Sequence, residues 1–275
     1  MLKKVILALC LTSAAGLAFR MPQADMLKKD TNLDIVFENN KKWVAEMTAE
    51  DPEIFSKFQA GQNPSILWIG CSDSRIPVDK LMGLDIGDIF VIRNVANQVI
   101  SHDLSMMSVI QFAITALKIP HIIVCGHYEC GGIKASTENV DHAPPLELWL
   151  RKIRDTYRLH RFELDAIEDP ASRQRRLVEI NVIESCIELY KTGVIQSVRE
   201  GNAGVTDTDY LPPKIHACVY DPTTGYLEKL PVDFNRIQEN LDPIYKMYEH
   251  TGGKSSSAAA PSGEKEKGGF LSFFK

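Results

Sequence analysis

Cys71, His127 and Cys130 are the residues whose types and spacing first point to chemistry. The chain carries six cysteines, at Cys10, Cys71, Cys125, Cys130, Cys186 and Cys218. Most sit inside apolar runs, as buried free thiols do. Cys71 and Cys130 stand at the ends of such runs, in Cys71-Ser72-Asp73-Ser74-Arg75 and His127-Tyr128-Glu129-Cys130-Gly131-Gly132. Two thiolates and an imidazole form a three-ligand zinc set, and soft sulfur with imidazole favours zinc over magnesium or calcium. A structural zinc site would normally take four protein ligands. Three strong candidates leave a fourth position open, as a catalytic zinc requires, although Asp73 or another residue could fill it. One residue separates Asp73 from Arg75, so an extended segment would point both the same way. The guanidinium fork would then hold the carboxylate by paired hydrogen bonds and keep it ionised.

These residues need a scaffold that brings them together. Ser65 to Gly70, Asp88 to Arg93 and His121 to Cys125 are short apolar runs with the look of buried strands. Between the last two, Asp103 to Leu117 reads as a helix, with Leu104, Met107, Val109, Ile110, Phe112, Ala113 and Leu117 on or near its buried side. Leu146 to His160 and Arg173 to Lys191 read as further helices. Lys214 to Tyr220 and Tyr226 to Val232 read as closing strands around a turn at Asp221–Gly225. The alternation predicts an α/β fold with a mostly parallel central β-sheet flanked by helices. Both clusters fall at the carboxyl ends of strands, where open parallel sheets bind ligands. Asn32 to about Gln59 has the spacing of amphipathic helices.

At 275 residues, 44% of them hydrophobic, the chain can bury a large core. A net charge of −5 with scattered Lys and Arg excludes the basic stripe of a nucleic-acid binder, so no nucleic-acid partner is expected. The cysteines neither form a disulfide scaffold nor include a redox Cys-x-x-Cys. A zinc deaminase is excluded by the missing Pro-Cys-x-x-Cys element. Residues 1–30 read as a targeting leader: a signal peptide over about 1–18, then a mildly basic transit-like stretch after Phe19. That pattern is similar to the leaders of algal complex plastids and implies a chloroplast, with a secreted or periplasmic protein as the alternative. Residues 31–250 form the expected catalytic domain. Residues 251–275 are a flexible linker ending in Phe270-Leu271-Ser272-Phe273-Phe274-Lys275. That tip reads as a frayed end, or as a contact for self-association or a membrane surface.

With Arg93-Asn94-Val95-Ala96-Asn97 between them, the two clusters resemble the signature of the β-class carbonic anhydrases, and the likeness runs from about Asn32 to Pro243. The resemblance implies zinc on Cys71, His127 and Cys130, with Asp73 and Arg75 as a catalytic dyad. It also implies reversible hydration of carbon dioxide to bicarbonate and a proton, through a zinc-bound hydroxide that the dyad orients. It further implies a homo-oligomer, a dimer or dimer of dimers, with the N-terminal helices packing on a partner subunit. One subtype closes its site when Asp73 moves onto zinc at low pH, and holds inhibitory bicarbonate in a second pocket. Trp68, Arg93 and Tyr220 fall at that pocket's places; for Trp68 and Tyr220 the competing reading is core packing. Activity is then expected to fall at low pH, and bicarbonate to deepen the loss. The same scaffold also serves carbon disulfide and carbonyl sulfide hydrolases, and a zinc-bound self-associating scaffold is the reading from another class.

Overall fold

Pro52 sets the first boundary. The residue before a proline is pushed out of the helical region, and Asp51 is extended (φ −144°, ψ 101°) where α1, Asp34–Glu50, stops. A short α2, Ile54–Gln59, follows. The computed structural model describes residues 33–202 and 212–248; the leader expected over 1–30 and the tail over 251–275, Phe270–Phe274 included, lie outside the described residues. Among the described residues, those from 33 to 61 form one compact unit and those from 62 another. In the first unit, Trp43 meets Phe55 edge-on with ring centroids 5.8 Å apart. No residue of α1 is buried, and Val36, Phe37 and Val44 are exposed.

The second unit is an α/β sandwich. Its elements run β1 (Ile66–Cys71), α3 (Val78–Met82), β2 (Ile89–Asn94), α4 (Leu104–Gln111), β3 (His121–His127), α5 (Gly131–Thr137), α6 (Leu146–Leu159), α7 (Arg161–Asp165), α8 (Pro170–Tyr190), α9 (Gly193–Gly201), β4 (Lys214–Tyr220), β5 (Leu227–Lys229) and α10 (Phe234–Glu239). The strand order is β2-β1-β3-β4-β5. The first four strands are parallel and β5 runs antiparallel to β4, so the expected fold class is the one observed. From β1 the chain first moves to one side, to β2, then returns to place β3 on the other. The strand order therefore reverses beside β1, and a crevice opens at the carboxyl ends of β1 and β3. Cys71 ends one of these strands and His127 the other.

Local chemistry explains the boundaries. Asp103 caps α4 by accepting from the Ser105 and Met106 amides, and Asp169 caps α8 with Pro170 at its first position. The helix expected over Asp103–Leu117 changes to a π turn at Phe112–Ala116. Its buried face also differs from the expectation. Met106, Ile110, Ala113 and Ile114 are inward, while Leu104 is 82% and Phe112 49% exposed. The extra residue in a π turn rotates everything after it relative to a 3.6-residue repeat. α8 packs on β3 and β4, closely enough that a Cβ on Gly126 would come within 2.6 Å of Val182 Cγ2. Leu67, Trp68, Ile69, Ile122 and Val124 are wholly buried beneath the helices. Cys125, Cys186 and Cys218 are packed thiols, as read from their apolar surroundings.

Candidate metal centre

His127 is 1% exposed. Its Nδ1 lies 2.9 Å from the Tyr128 carbonyl; a carbonyl can only accept, so Nδ1 carries the proton and Nε2 is left with its lone pair. Nε2 is buried and has no hydrogen-bond partner. An orphaned imidazole nitrogen in a protein interior is costly unless something binds it. The Cys71 and Cys130 sulfurs lie 4.0 Å apart, and all three donor atoms fall within 4.8 Å of one another. Tetrahedral zinc with Zn–S bonds of about 2.3 Å places two sulfurs about 3.8 Å apart. The sulfur pair therefore fits zinc with a slight contraction, and the donor set as a whole, within 4.8 Å, fits once the imidazole nitrogen and the sulfurs draw together by up to about 1 Å.

The sulfurs are electrostatically prepared. The Cys71 thiol is pushed well below its ordinary value, chiefly because Cys130 donates to its thiolate; burial opposes the shift, and the Ala96 amide assists it. Cys130 is pushed up by the same sharing of one proton. The Ala96 N–H points at Cys71 Sγ from 3.3 Å. For that it needs a left-handed backbone, φ 63°, which costs a non-glycine residue about 1 kcal/mol or more. Asn181 of α8 holds the strained turn by donating to the Ala96 carbonyl at 2.9 Å.

Asp73 and Arg75 do pair, but not through an extended segment as their spacing was read. The Arg75 amide donates to Asp73 Oδ1 at 2.9 Å, closing a turn on the aspartate side chain. Arg75 Nε then donates to Oδ1 at 2.9 Å and Nη2 to Oδ2 at 2.7 Å. These bonds hold the Asp73 carboxyl well below the usual carboxylate range, against some desolvation. Oδ2 lies 3.8 Å from His127 Nε2, so an ionised carboxylate overlooks the three donors. Arg75 Nη2 also reaches the Glu129 carbonyl at 3.2 Å.

Trp68, Arg93 and Tyr220 are less closely united. Trp68 is fully buried, and its indole N–H has no partner. Tyr220 stands in register with His127 on the neighbouring strand. Arg93 donates to three main-chain carbonyls, Cys71 at 2.8 Å, Ile76 at 3.2 Å and Asp73 at 2.6 Å. Among the described residues no hydrogen bond joins the three side chains to one another. Sequence reasoning missed the supporting shell of Ala96, Asn181 and the Arg93 clamp. The run Arg93–Asn97 marked the region, but nothing in it told which groups face sulfur.

Fold and site define a class: a parallel α/β protein with a buried Cys-His-Cys metal-binding cluster at its topological switch point. The carbonic anhydrase family model matches residues 66–227. A carbonic anhydrase of Emericella nidulans is 50% identical over 214 residues, covering 78% of this chain and 90% of that protein. Among solved structures, the β-carbonic anhydrase CafA of Aspergillus fumigatus is 33% identical with a TM-score of 0.68, over 75% of this chain and 95% of that one. The structure of two tetrameric β-carbonic anhydrases from Sordaria macrospora matches at 32% identity and a TM-score of 0.66, over 73% and 97%. The chain belongs to the carbonic anhydrase family, in its β class, and is a carbonate dehydratase.

Proposed function

We propose that Cys71, His127 and Cys130 hold one zinc ion and that Asp73 and Arg75 form the catalytic dyad for reversible hydration of carbon dioxide. The observation that carries this reading is the orphaned, buried His127 Nε2 beside two sulfurs at coordinating distance. Zinc bound there supplies Lewis acidity, which makes water available as a nucleophile near pH 7. Asp73, kept ionised by Arg75, accepts a hydrogen bond from the attacking oxygen and leaves that oxygen's lone pair facing the carbon. Arg75 can only donate, so Asp73 cannot turn its oxygens away without breaking two charge-assisted bonds. Carbon dioxide and water become bicarbonate and a proton. Stopped-flow hydration on protein of known zinc content tests the assignment. About one zinc per chain, fast turnover and loss of both in Cys71→Ala are expected. Full zinc without turnover of carbon dioxide would move the reading to carbon disulfide or carbonyl sulfide as substrate.

We further infer the bicarbonate-regulated subtype. The unpartnered Trp68 indole N–H is a buried donor suited to an anion. In the state described, Arg93 is committed to the carbonyls of the loop that carries Asp73. Bicarbonate would draw it away and loosen that loop. Inhibition of the hydration direction by added bicarbonate, reduced in Trp68→Phe, is the expected outcome; equal inhibition in both proteins defeats the subtype reading.

A homo-oligomer, dimer or dimer of dimers, is the third part of the proposal, with α1 and α2 packing on a partner subunit. Its support is the apolar side chains that α1 leaves exposed and the tetrameric state named for the Sordaria macrospora proteins. The chloroplast reading, with export as its alternative, rests on the pattern of residues 1–30. A fluorescent fusion to that segment tests it.

A further inference from the structure

Tyr128 stands between two of the donors, His127 and Cys130, and is fixed at its amide, its carbonyl, its ring and its hydroxyl. The amide donates to the Tyr220 carbonyl at 3.0 Å, and the carbonyl accepts from His127 Nδ1 at 2.9 Å. The buried ring lies under the Arg175 guanidinium, whose carbon is 3.4 Å from the ring centroid. The hydroxyl donates to Glu179 Oε1 at 2.9 Å. Arg175 and Glu179 stand one turn apart on α8, and so on one face of that helix. Each is held in its turn. Arg175 donates to Asp221 Oδ2 at 3.2 Å, and Arg176 donates to Glu179 Oε2 at 2.7 Å. Neither the ring nor the hydroxyl of Tyr128 belongs to the donor set or to the Asp73–Arg75 pair.

The next residue explains why such fixing matters. Glu129 has φ 56°, a left-handed backbone that is strained for a non-glycine residue and persists only where its surroundings over-determine it. On one side its carbonyl accepts from Arg75 Nη2 at 3.2 Å. On the other side the anchor is the Tyr128 side chain. A turn free to relax would move the Cys130 sulfur relative to the His127 ring. We propose that Tyr128, clamped by Glu179 and Arg175, is a positioning residue for the metal centre: it holds the His127–Cys130 turn in its strained form and so sets the affinity for zinc. This inference rests on the zinc assignment above. Donors held in place before the ion arrives need no further ordering when it binds. Outer groups that orient a metal ligand are worth about 10–100-fold in metal affinity.

The test measures zinc dissociation constants by competition with a chelator, in the full chain and in Tyr128→Phe, Glu179→Ala, their double variant, Glu179→Gln and Tyr157→Phe. The last is a control. Tyr157 Oη donates to Asp165 Oδ1 at 2.6 Å, a bond of the same chemistry between α6 and the end of α7, elements that supply no donor. Tyr128→Phe and Glu179→Ala are each expected to raise the constant about 10–100-fold. The double variant is expected to rise no further than either alone, because both changes remove one bond. Glu179→Gln keeps an oxygen that accepts from the hydroxyl, and is expected to recover most of the affinity. Tyr157→Phe is expected to leave the constant unchanged. A constant unaltered in Tyr128→Phe, an equal rise in Tyr157→Phe, or additive losses in the double variant each overturn the proposal and leave the zinc assignment standing. Unaltered protein that takes up no zinc overturns both.

Discussion

Under the proposed assignment, Asp73 would separate metal binding from catalysis at the level of a single residue. Its carboxylate overlooks the donor cluster but is committed to Arg75 through three bonds. Asp73→Asn is therefore expected to keep zinc and lose about 10²–10⁴-fold in turnover, the range for a positioned acid–base or acceptor group. His127→Ala is expected to lose both, because it removes a donor. Zinc analysis beside stopped-flow rates distinguishes the two, and equal zinc loss in both variants would contradict the division of roles. The spacing Asp73-x-Arg75 was legible in the sequence. The turn that closes on the aspartate side chain was not, because spacing constrains which groups can meet but not the dihedral angles that bring them together.

Packing between elements decides how rigid the cluster is. A Cβ at Gly132 would lie 2.7 Å from Val95 Cγ1, so the start of α5 must touch the turn that aims the Ala96 amide at Cys71. Gly132→Ala is expected to cost about 1–3 kcal/mol by overpacking and to weaken zinc retention, read from urea unfolding and metal analysis. At the other end of the sheet, β3 and β4 bring His121 Nδ1 within 3.1 Å of His216 Nε2. Burial, then the charges of His121, Lys229 and Lys214, push His216 down to about 4. An unfolded imidazole titrates near ~6.5, so protons bind the unfolded chain first. This contribution to stability is complete above pH ~6.5 and is lost as pH falls from there towards 4. His216→Asn is expected to flatten the unfolding midpoint across that window; an unchanged acid slope would show that the histidine pair carries no linkage.

At the scale of the whole molecule, metal and assembly act on stability together. A ligand that binds only the folded state stabilises by about 2.7 kcal/mol at a hundredfold excess over its Kd. Chelation is therefore expected to lower Tm measurably in the native protein and to leave the Tm of Cys71→Ala unchanged. Protein beginning at residue 62, without α1 and α2, is expected to have fewer subunits by light scattering than the intact chain; the same subunit number in both would remove these helices from the interface.

The sequence alone marked the main strands, the longer helices and the candidate donors, but not the short helices α3, α5, α7, α9 and α10. Apolar runs marked β1 and β3, interior strands with mostly buried positions, because a strand covered on both faces reads as nearly continuous apolar sequence. The run at β2 was also legible although it is a half-exposed edge strand, and the run Lys214–Tyr220 coincides with β4. Cys71, His127 and Cys130 were legible because thiol and imidazole stood at the polar ends of those runs. Only the tertiary structure decided the rest. Leu104, 82% exposed, stands at the start of α4, upstream of the π turn, and which face of that first turn is covered depends on packing rather than on the apolar spacing. The clamp of Arg93 on three carbonyls, the Ala96 amide on Cys71 sulfur and the Tyr128 carbonyl on His127 Nδ1 are directional contacts. Hydrogen-bond direction depends on backbone orientation in space, fixed by strand order and helix packing, and a pattern of hydrophobicity along the chain carries no record of it.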